Sequence, residues 1–241
     1  MSEAGGAKPD KGRDVQAMFG AIARRYDFLN HFLSANIDKR WRRACVREVS
    51  KLLTRKPENI LDVGCGTGDL SIAFSAVGPV VGCDFCHPML SIGGEKIARR
   101  ESAHRILLVE ADALTLPFPA GAFDVVVSAF VLRNLADTQR GLLEMRRVLR
   151  CGGVLGIMDF SMPRVRMFGR AYGFYFHKIL PRLGALISGV EGPYKYLPES
   201  VQSFPGPEEL KVRISRAGFD DVGYRSFSGG IVVLMLARAG Q

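Results

Sequence analysis

The chain has 241 residues, 47% of them hydrophobic, and its 33 basic and 24 acidic residues give a formal net charge of +9. This length and composition can bury one substantial core, so we expect a single domain over residues 13–241 after a disordered segment at residues 1–12. The sequence contains no apolar run that approaches the roughly 20 residues of a membrane-spanning helix. The charge permits an anionic partner, but no recognised nucleic-acid-binding module accompanies the basic clusters, so we expect no nucleic-acid partner.

The five cysteines do not form the pattern of a secreted, disulfide-bonded protein. Cys83 and Cys86 have CxxC spacing, but neither a second pair nor a histidine cluster completes a zinc site. We expect reduced thiols in a cytoplasmic protein and no metal, with a metal or redox role as the alternative.

Residues 13–55 have a helical pattern, in which apolar side chains recur every three or four positions. Asp38 precedes Trp41 and is predicted to be a helix N-cap. The aromatic residues of this region either pack a helical lid or line the mouth of a substrate pocket. They are Phe19, Tyr26, Phe28, Phe32 and Trp41.

Strands and helices then alternate from residue 59 to residue 159. The strands are predicted at residues 59–63, 79–84, 105–110, 123–129 and 154–159, with a glycine turn at 151–153 before the last of them. Their near-continuous apolar character predicts an α/β fold with a parallel sheet covered on both faces. A helix at 207–217 and an edge hairpin of strands 219–227 and 231–237 complete the pattern.

Residues 162–206 interrupt this alternation and are predicted to be an insertion before the last helix. Eight aromatic residues are mixed there with basic residues, including Arg164, Arg166 and Arg170. The aromatics either pack a small helical subdomain or form an amphipathic surface at an anionic membrane.

Residues 60–69 read Ile-Leu-Asp-Val-Gly-Cys-Gly-Thr-Gly-Asp and form the motif with the clearest chemistry. A strand, a glycine-rich turn and a helix start form a site where backbone N–H groups face a ligand. A dinucleotide site requires G-x-G-x-x-G, whereas Gly64, Gly66 and Gly68 give G-x-G-x-G. Asp62 and Asp69 flank the turn, and carboxylates suit a ligand with a positive centre. The motif therefore favours S-adenosylmethionine, a sulfonium compound, over the cofactor of a dinucleotide oxidoreductase.

Further residues at strand ends fit the same ligand. Asp84 closes the second strand, where its carboxylate can accept both ribose hydroxyl hydrogens. Asp112 and Ala113 can present an acceptor and a backbone N–H to the adenine, although Asp112 alone is equally typical of a helix cap. Ser128 and Ala129 end the fourth strand and are expected beneath the reactive methyl group.

Several stretches resemble the ubiquinone/menaquinone biosynthesis C-methyltransferase family, and together they cover nearly the whole chain after residue 13. They are residues 26–30 (YDFLN) with Ser34 and Trp41, 116–119 (LPFP), 130–134 (FVLRN), 147–153 (RVLRCGG) with 159–161 (DFS), and 196–201 (YLPESV) with 204–205 (FP). The chain departs from the family pattern at Asp38, Cys86, Val131, Cys151, Asp159 and Met235, the last of which stands where the family usually has histidine.

The resemblance implies a class I methyltransferase fold: a Rossmann-like seven-stranded sheet whose last strand is antiparallel, with a helical N-terminal lid. It implies methyl transfer to a ring carbon of a polyprenylated quinol, with demethylmenaquinol favoured and 2-polyprenyl-6-methoxy-1,4-benzoquinol as the other acceptor. It also implies cofactor contacts at Thr67, Asp84, Asp112, Ala113 and Ala129. The complete expected cofactor-binding set is Asp62, Gly64, Gly66, Thr67, Gly68, Asp84, Asp112, Ala113, Ser128 and Ala129.

A quinol carbon is nucleophilic only when an adjacent hydroxyl loses its proton, so the pocket needs a base or a cation beside the phenolate. Arg133 is the first candidate for phenolate stabilisation, directly or through water, and a structural ion pair is its alternative role. Tyr26 and Asp27 of the lid and Tyr196 of the insertion are candidates for orienting the ring.

Two other functions stay open on the sequence. One is a class I methyltransferase for another hydrophobic small molecule, and the other is a non-catalytic S-adenosylmethionine-binding protein at the membrane. We expect peripheral contact with the inner face of an anionic cytoplasmic membrane. Oligomeric state is open, with a homodimer as one alternative.

Overall fold

The computed structural model describes residues 11–34, 36–162 and 192–240. The strands are β1 (Ile60–Val63), β2 (Val80–Asp84), β3 (Ile106–Glu110), β4 (Phe123–Ala129), β5 (Leu149–Phe160), β6 (Phe219–Phe227) and β7 (Val232–Ala239). The described helices are α1 (Lys11–Leu33), α2 (Ile37–Ser50), α3 (Asp69–Phe74), α4 (His87–Ala98), α5 (Thr138–Val148), α6 (Gly192–Ser203) and α7 (Pro207–Arg216). Short 3-10 turns occur at Glu101–Arg105, Leu132–Asn134 and Ser228–Gly230.

The seven strands form one sheet in the order β3-β2-β1-β4-β5-β7-β6. The first five strands pair in parallel, and β7 is antiparallel to both β5 and β6. The predicted seven-stranded α/β fold with an antiparallel last strand is therefore confirmed. The strand order reverses between β1 and β4, and open α/β sheets bind ligands at the carboxyl ends of strands beside such a reversal.

The sheet has a hydrophobic core on each face, because alternate residues of its buried strands point to opposite sides. On one face Leu61 and Val126 pack in a cluster that includes residues of α5 and α7. On the other face Ile60 and Val125 pack in a cluster with residues of α2 and α3, including Trp41. Burial on both sides explains why these strands read as continuous apolar runs in the sequence.

Two local predictions are corrected. Asp38 is not the N-cap of α2, because the helix begins at Ile37 and Asn36 adopts the left-handed cap conformation with φ of 60°. The carboxylate of Asp38 instead accepts hydrogen bonds from Ser34, at 2.8 Å, and from Arg42. The predicted turn at 151–153 lies inside β5, where Phe123 pairs with Leu149 but Val125 pairs with Val154, so the strand register shifts across residues 150–153.

The predicted insertion lies partly outside the described residues, which resume with α6. Its arginines at 164, 166 and 170 are among the residues not described. Among the helices of the described ranges, none combines the length and apolar character needed to cross a membrane.

Gly156 of β5 lies beneath α2 and provides a test of how tightly that helix packs on the sheet. A Cβ at Gly156 would lie 2.7 Å from Cγ2 of Val49, a fully buried residue of α2. We expect Gly156→Ala to lower the free energy of unfolding by about 1–3 kcal/mol through overpacking. Adding Val49→Ala makes room, so urea denaturation should show the double variant less destabilised than the sum of the singles.

The matched control is Gly94→Ala in α4, where a Cβ would meet no heavy atom of the described residues within 4 Å. This variant should be neutral or more stable, because alanine favours a helix by about 1 kcal/mol over glycine. Additive effects of the Gly156 and Val49 substitutions would contradict the close packing.

Candidate active site

A cavity of about 290 Å³ lies at the carboxyl ends of the parallel strands. Its walls include the glycine loop at Gly64 and Gly66, the end of β2, the residues after β3, and the turn after β4. The first two turns of α1, from Gly12 to Phe19, also line the cavity, so the N-terminal helix covers it.

The glycine loop has a backbone course that side chains would obstruct. Gly64, Gly66 and Gly68 have φ of 69°, 55° and 79°, in the left-handed region that favours glycine. A Cβ on Gly64 would lie 2.4 Å from a Val131 methyl carbon, so the loop and the turn after β4 can approach only because residue 64 is glycine. The N–H groups of Gly64 and Cys65 donate to the carbonyl of Cys83, at 2.7 and 2.9 Å, which fixes the loop on β2.

Asp84 lies where the sequence places a ribose acceptor and lines the cavity. Its carboxylate accepts from the N–H of Gly66 at 2.8 Å and from the N–H of Cys86 at 2.9 Å. Burial raises the pKa of Asp84 above its usual value, although these N–H donors oppose the shift. The side chain is therefore oriented by backbone donors, and the described residues place no cation in hydrogen-bond contact with it.

Asp112, Ala113 and Ala129 also line the cavity, as predicted for cofactor contacts. Asp112 accepts from the N–H of Leu114 at 2.9 Å. This is the capping role that the sequence left open, and the residue combines it with a place in the cavity wall. The turn holds Asp112 and Ala113 at the end of β3.

Four residues of the predicted cofactor-binding set are absent from the cavity lining, namely Asp62, Thr67, Gly68 and Ser128. They support its walls. Ser128 donates to the carbonyl of Val63 at 2.8 Å, and Ser71 of α3 donates to Asp62 at 2.6 Å. The hydroxyl of Thr67 donates to Asp27 of α1 at 2.5 Å, so the lid contacts the loop directly. Direct cofactor contact at these four positions remains a prediction.

Asp62 is a carboxylate enclosed in the core, only 1% exposed. Within the described residues its Oδ1 has no hydrogen-bond partner. Burial, reinforced by the nearby charge of Asp84, raises the pKa of Asp62 to about 7, against the lowering effects of Ser71 and Arg42. Near neutral pH this group is therefore distributed between its protonated and ionised forms.

Arg133 forms the structural ion pair that the sequence analysis gave as its alternative role. Its Nη1 lies 2.6 Å from Oδ1 of Asp159, and the two side chains are 6% and 3% exposed. The same nitrogen donates to the carbonyl of Phe130 at 2.6 Å, and the guanidinium lies 5.3 Å from the centre of the Phe160 ring. Arg133 is not part of the cavity lining, so direct contact with a phenolate is not what this geometry favours.

Phe130 is the residue that Arg133 holds in place. Its φ of 65° is unusual for a residue other than glycine, and such strain persists where surrounding contacts impose it. Its N–H donates to the carbonyl of Met158 at 2.7 Å, and its carbonyl also accepts from the side chain of Asn134 at 3.1 Å. These contacts fix the cavity wall after β4.

Tyr196 of α6 reaches the same region. Its hydroxyl donates to Oδ1 of Asn134 at 3.2 Å, and Asn134 lines the cavity. Burial raises the pKa of Tyr196, and Asp159 adds to this, while the charge of Arg133 lowers it. Tyr26 lies in α1, and its side chain falls outside the described part of the structure.

Sequence reasoning missed Gln16 of α1, which lines the cavity and donates to the carbonyl of Phe85 at 2.6 Å. No local pattern indicates that this residue reaches the end of β2. Phe19, one of the aromatic residues predicted either to pack the lid or to line a pocket, lines the cavity and packs against a small cluster that includes Met89. Met235, which replaces the family histidine, is 1% exposed in the β7 core and is absent from the cavity lining.

Comparisons with known proteins agree with this geometry. A family model described as the ubiE/COQ5 methyltransferase family matches residues 6–238. The chain is 48% identical over 220 residues to a protein of Thermus thermophilus named demethylmenaquinone methyltransferase, covering 90% of this chain and 97% of that protein. This chain belongs to the ubiE/COQ5 methyltransferase family.

Another relative is a Geobacter sulfurreducens protein named ubiquinone/menaquinone biosynthesis C-methyltransferase UbiE, which is 41% identical over 96% of this chain and 90% of its own length. A solved SAM-dependent methyltransferase from Aquifex aeolicus superposes with a TM-score of 0.58 over 80% of this chain and 87% of that one. Because its identity is 19%, it shows the fold alone. This ubiE/COQ5 family member is an S-adenosylmethionine-dependent C-methyltransferase.

The residues around the cavity fit that cofactor. Among the described lining residues, Asp84 and Asp112 are acidic and Arg13 is the single basic one, a balance that suits a cationic ligand. Among the described residues, no heavy atom lies within 4 Å of where a Cβ of Gly66 would be, so the loop leaves room for a close approach to its backbone. A diphosphate would instead meet two carboxylates.

The raised pKa of Asp62 gives a testable pH dependence. A carboxyl with a folded-state pKa near 7 and an unfolded value near 4 binds more protons when folded, so stability falls as pH rises from about 4 to about 7. Asp62→Asn removes this titration. In urea denaturation from pH 5 to pH 8, the wild type should lose about 2–3 kcal/mol of unfolding free energy that the variant keeps.

The control is Asp124→Asn, which should change stability mainly in acid. Burial would raise the pKa of Asp124, but the N–H groups of Glu58 and Asn59 and the guanidinium of Arg150 lower it below its usual value. Its stabilising contribution is therefore lost only as pH falls below about 4. Parallel pH profiles for wild type and Asp62→Asn would refute the assignment.

Proposed function

We propose that this protein transfers a methyl group from S-adenosylmethionine to a ring carbon of a polyprenylated quinol, with demethylmenaquinol as the favoured acceptor. The observation that carries this proposal is the 48% identity to the Thermus thermophilus demethylmenaquinone methyltransferase over 97% of that protein. The cavity beneath α1, with acidic strand ends and an aromatic wall at Phe130, supports it.

Cofactor binding is assigned to the two strand ends that carry oriented carboxylates. Asp84 would accept hydrogen bonds from the ribose hydroxyls, because its backbone donors already fix the carboxylate at the cavity. Asp112 and Ala113 would present an acceptor and an N–H to the adenine, and the open backbone of Gly66 would hold the amino-acid end. When bound, S-adenosylmethionine supplies an electrophilic methyl group, and placement of the acceptor carbon in line with it provides much of the acceleration.

The acceptor ring is assigned to the space beside Ala129, Phe130 and Asn134, which line the cavity after β4. Asn134 and Tyr196 form a hydrogen-bonded pair whose polar atoms can orient a ring hydroxyl. The acceptor hydroxyl must lose its proton before its ring carbon attacks. Arg133 acts indirectly in this proposal: it fixes the Phe130 turn, and its positive charge lowers the pKa of Tyr196 against burial.

The proposed function is tested by incubating the protein with methyl-labelled S-adenosylmethionine and a reduced acceptor in detergent. We expect label in the lipid extract with demethylmenaquinol, because two relatives are named demethylmenaquinone methyltransferase. If label appears only with 2-polyprenyl-6-methoxy-1,4-benzoquinol, that quinol and not demethylmenaquinol is the acceptor. Cofactor binding in calorimetry with no labelled lipid from either quinol would favour another hydrophobic substrate or a binding protein.

A pair of variants tests the cofactor site in the same assay. Asp84→Asn should weaken cofactor binding by about 10- to 100-fold, as expected when a hydrogen bond to a charged acceptor is lost. The matched control is Glu110→Gln at the end of the neighbouring strand β3, whose carboxylate is exposed and contacts His87. Equal affinity of the two variants for S-adenosylmethionine would show that Asp84 does not contribute to cofactor binding.

We also propose peripheral contact with an anionic membrane, now through α2. Lys39, Arg40 and Arg43 are exposed on this helix, whereas Asp38 is buried and Glu48, at the other end of the helix, is paired with Arg47 and Lys51. Their charges are close together on one helix whose other face packs on the sheet through Trp41. A homodimer remains a separate prediction, which the molar mass from light scattering tests.

Co-sedimentation with anionic liposomes tests the membrane contact. Replacing Lys39, Arg40 and Arg43 with glutamine should weaken partitioning by up to about 100-fold, since each basic residue near such a surface contributes about 1 kcal/mol. The control removes equal charge elsewhere by Arg99→Gln, Arg100→Gln and Lys211→Gln, three residues that are also exposed. Equal loss in both triple variants would indicate a net-charge effect and not a docking face.

A further inference from the structure

Lys96 of α4 links the lid to the glycine loop. Its Nζ lies 2.6 Å from Oδ2 of Asp27 in α1 and 2.5 Å from Oδ1 of Asp69, the first residue of α3. The other oxygen of Asp27 accepts from the hydroxyl of Thr67 at 2.5 Å, and Lys96 lies 3.4 Å from that hydroxyl. One ammonium group therefore joins the covering helix, the loop and the helix that starts from the loop.

The charge chain continues to the second lid helix. Arg42 of α2 lies 3.5 Å from Oδ2 of Asp69 and also contacts Asp38 within its own helix. Acidic and basic groups thus alternate in the order Asp27, Lys96, Asp69, Arg42, Asp38. Because the chain passes through Asp69, both lid helices are tied to the start of α3.

Burial makes this arrangement different from an ordinary surface ion pair. The side chains of Lys96, Asp27 and Asp69 are only 21%, 27% and 20% exposed. Exposed pairs of long side chains contribute little, because water screens them and side-chain entropy opposes them. A partly buried cation shared by two carboxylates from different elements is screened less, and removing it leaves two like charges close together.

The location of the chain relates it to the cavity. Thr67 lies in the glycine loop, between Gly66 and Gly68, and is 3% exposed. Asp27 lies in the same helix as Gln16 and Phe19, which line the cavity. A displacement of α1 that separates Asp27 from Thr67 would therefore change the loop and the cavity cover together.

We propose that Lys96 is a positioning residue that holds α1 closed over the cofactor cavity and thereby slows cofactor release. The inference rests on the proposed function only for the identity of the ligand. Asp27 of the lid and Thr67 of the loop form one contact, and Lys96 stabilises that contact. The role differs from orientation of the acceptor ring, which the sequence suggested for Asp27.

The first test measures amide hydrogen exchange in α1 of the ligand-free full chain. Lys96→Met keeps the length of the side chain and removes the charge, so exchange in α1 should accelerate by about tenfold, equivalent to about 1.4 kcal/mol of local opening. Lys96→Arg should restore protection, because the cation is kept. Arg213→Met, which removes a cation from a pair with Glu209 inside α7, should leave α1 unchanged.

The second test measures the dissociation rate of S-adenosylmethionine by stopped-flow displacement. Lys96→Met should release it about 5- to 10-fold faster, and raise its KM more than it lowers kcat. A purely structural role would instead lower the free energy of unfolding without this split.

Unchanged exchange in α1 of Lys96→Met overturns the inference, as does faster exchange with an unchanged dissociation rate. Failure of the wild type to bind S-adenosylmethionine would refute the proposed function, and the exchange measurement would still judge the contact between lid and loop. The two failures are therefore distinguishable.

Discussion

The absence of a side chain at Gly64 determines how closely the turn after β4 can approach the glycine loop. Val131 occupies the space that a Cβ at residue 64 would fill, so the two walls of the cavity are in contact at this point. The loop is held from its other side by the carbonyl of Cys83 and the carboxylate of Asp84. The distance between the glycine loop and the turn after β4 therefore depends on one steric fit, and the neighbouring Phe130 holds that turn in a strained backbone conformation.

The carboxylates around the cavity differ in whether their partners are backbone N–H groups or cationic side chains. This difference distinguishes carboxylates that can bind a ligand from those that stabilise the surrounding structure. Asp84 and Asp112 accept hydrogen bonds from backbone N–H groups, which orient a carboxylate without cancelling its net charge. Asp27 and Asp69 are paired with Lys96, and Asp159 is paired with Arg133. Negative charge is thus kept where a cationic ligand is expected, and it is neutralised in the lid and in the wall behind the cavity.

The sequence predicts the buried parallel strands well because they are apolar along their whole length. The edge strand β6, which the hairpin signal predicts, begins and ends at the expected residues. The sequence also places Asp84, Asp112 and Ala129 at the cavity, since their strand ends meet at one edge. It does not predict the contact of Asp27 with Lys96, which are 69 residues apart, or the choice of Asp159 as partner of Arg133. Such contacts arise from the packing of separate elements and have no local pattern. The register shift inside β5 was missed because paired glycines are typical of turns as well.

Trp41, the only tryptophan of the chain, lies at the junction of the elements that surround the wall after β4. Its indole N–H donates to the hydroxyl of Ser228 at 2.9 Å, and its ring centre lies 6.3 Å from that of Phe130 and 6.2 Å from that of Phe160. Tryptophan emission depends on the polarity and packing around the ring. The chain therefore carries a single intrinsic fluorophore between α2 and the cavity wall, and its spectrum reports rearrangement there without a label.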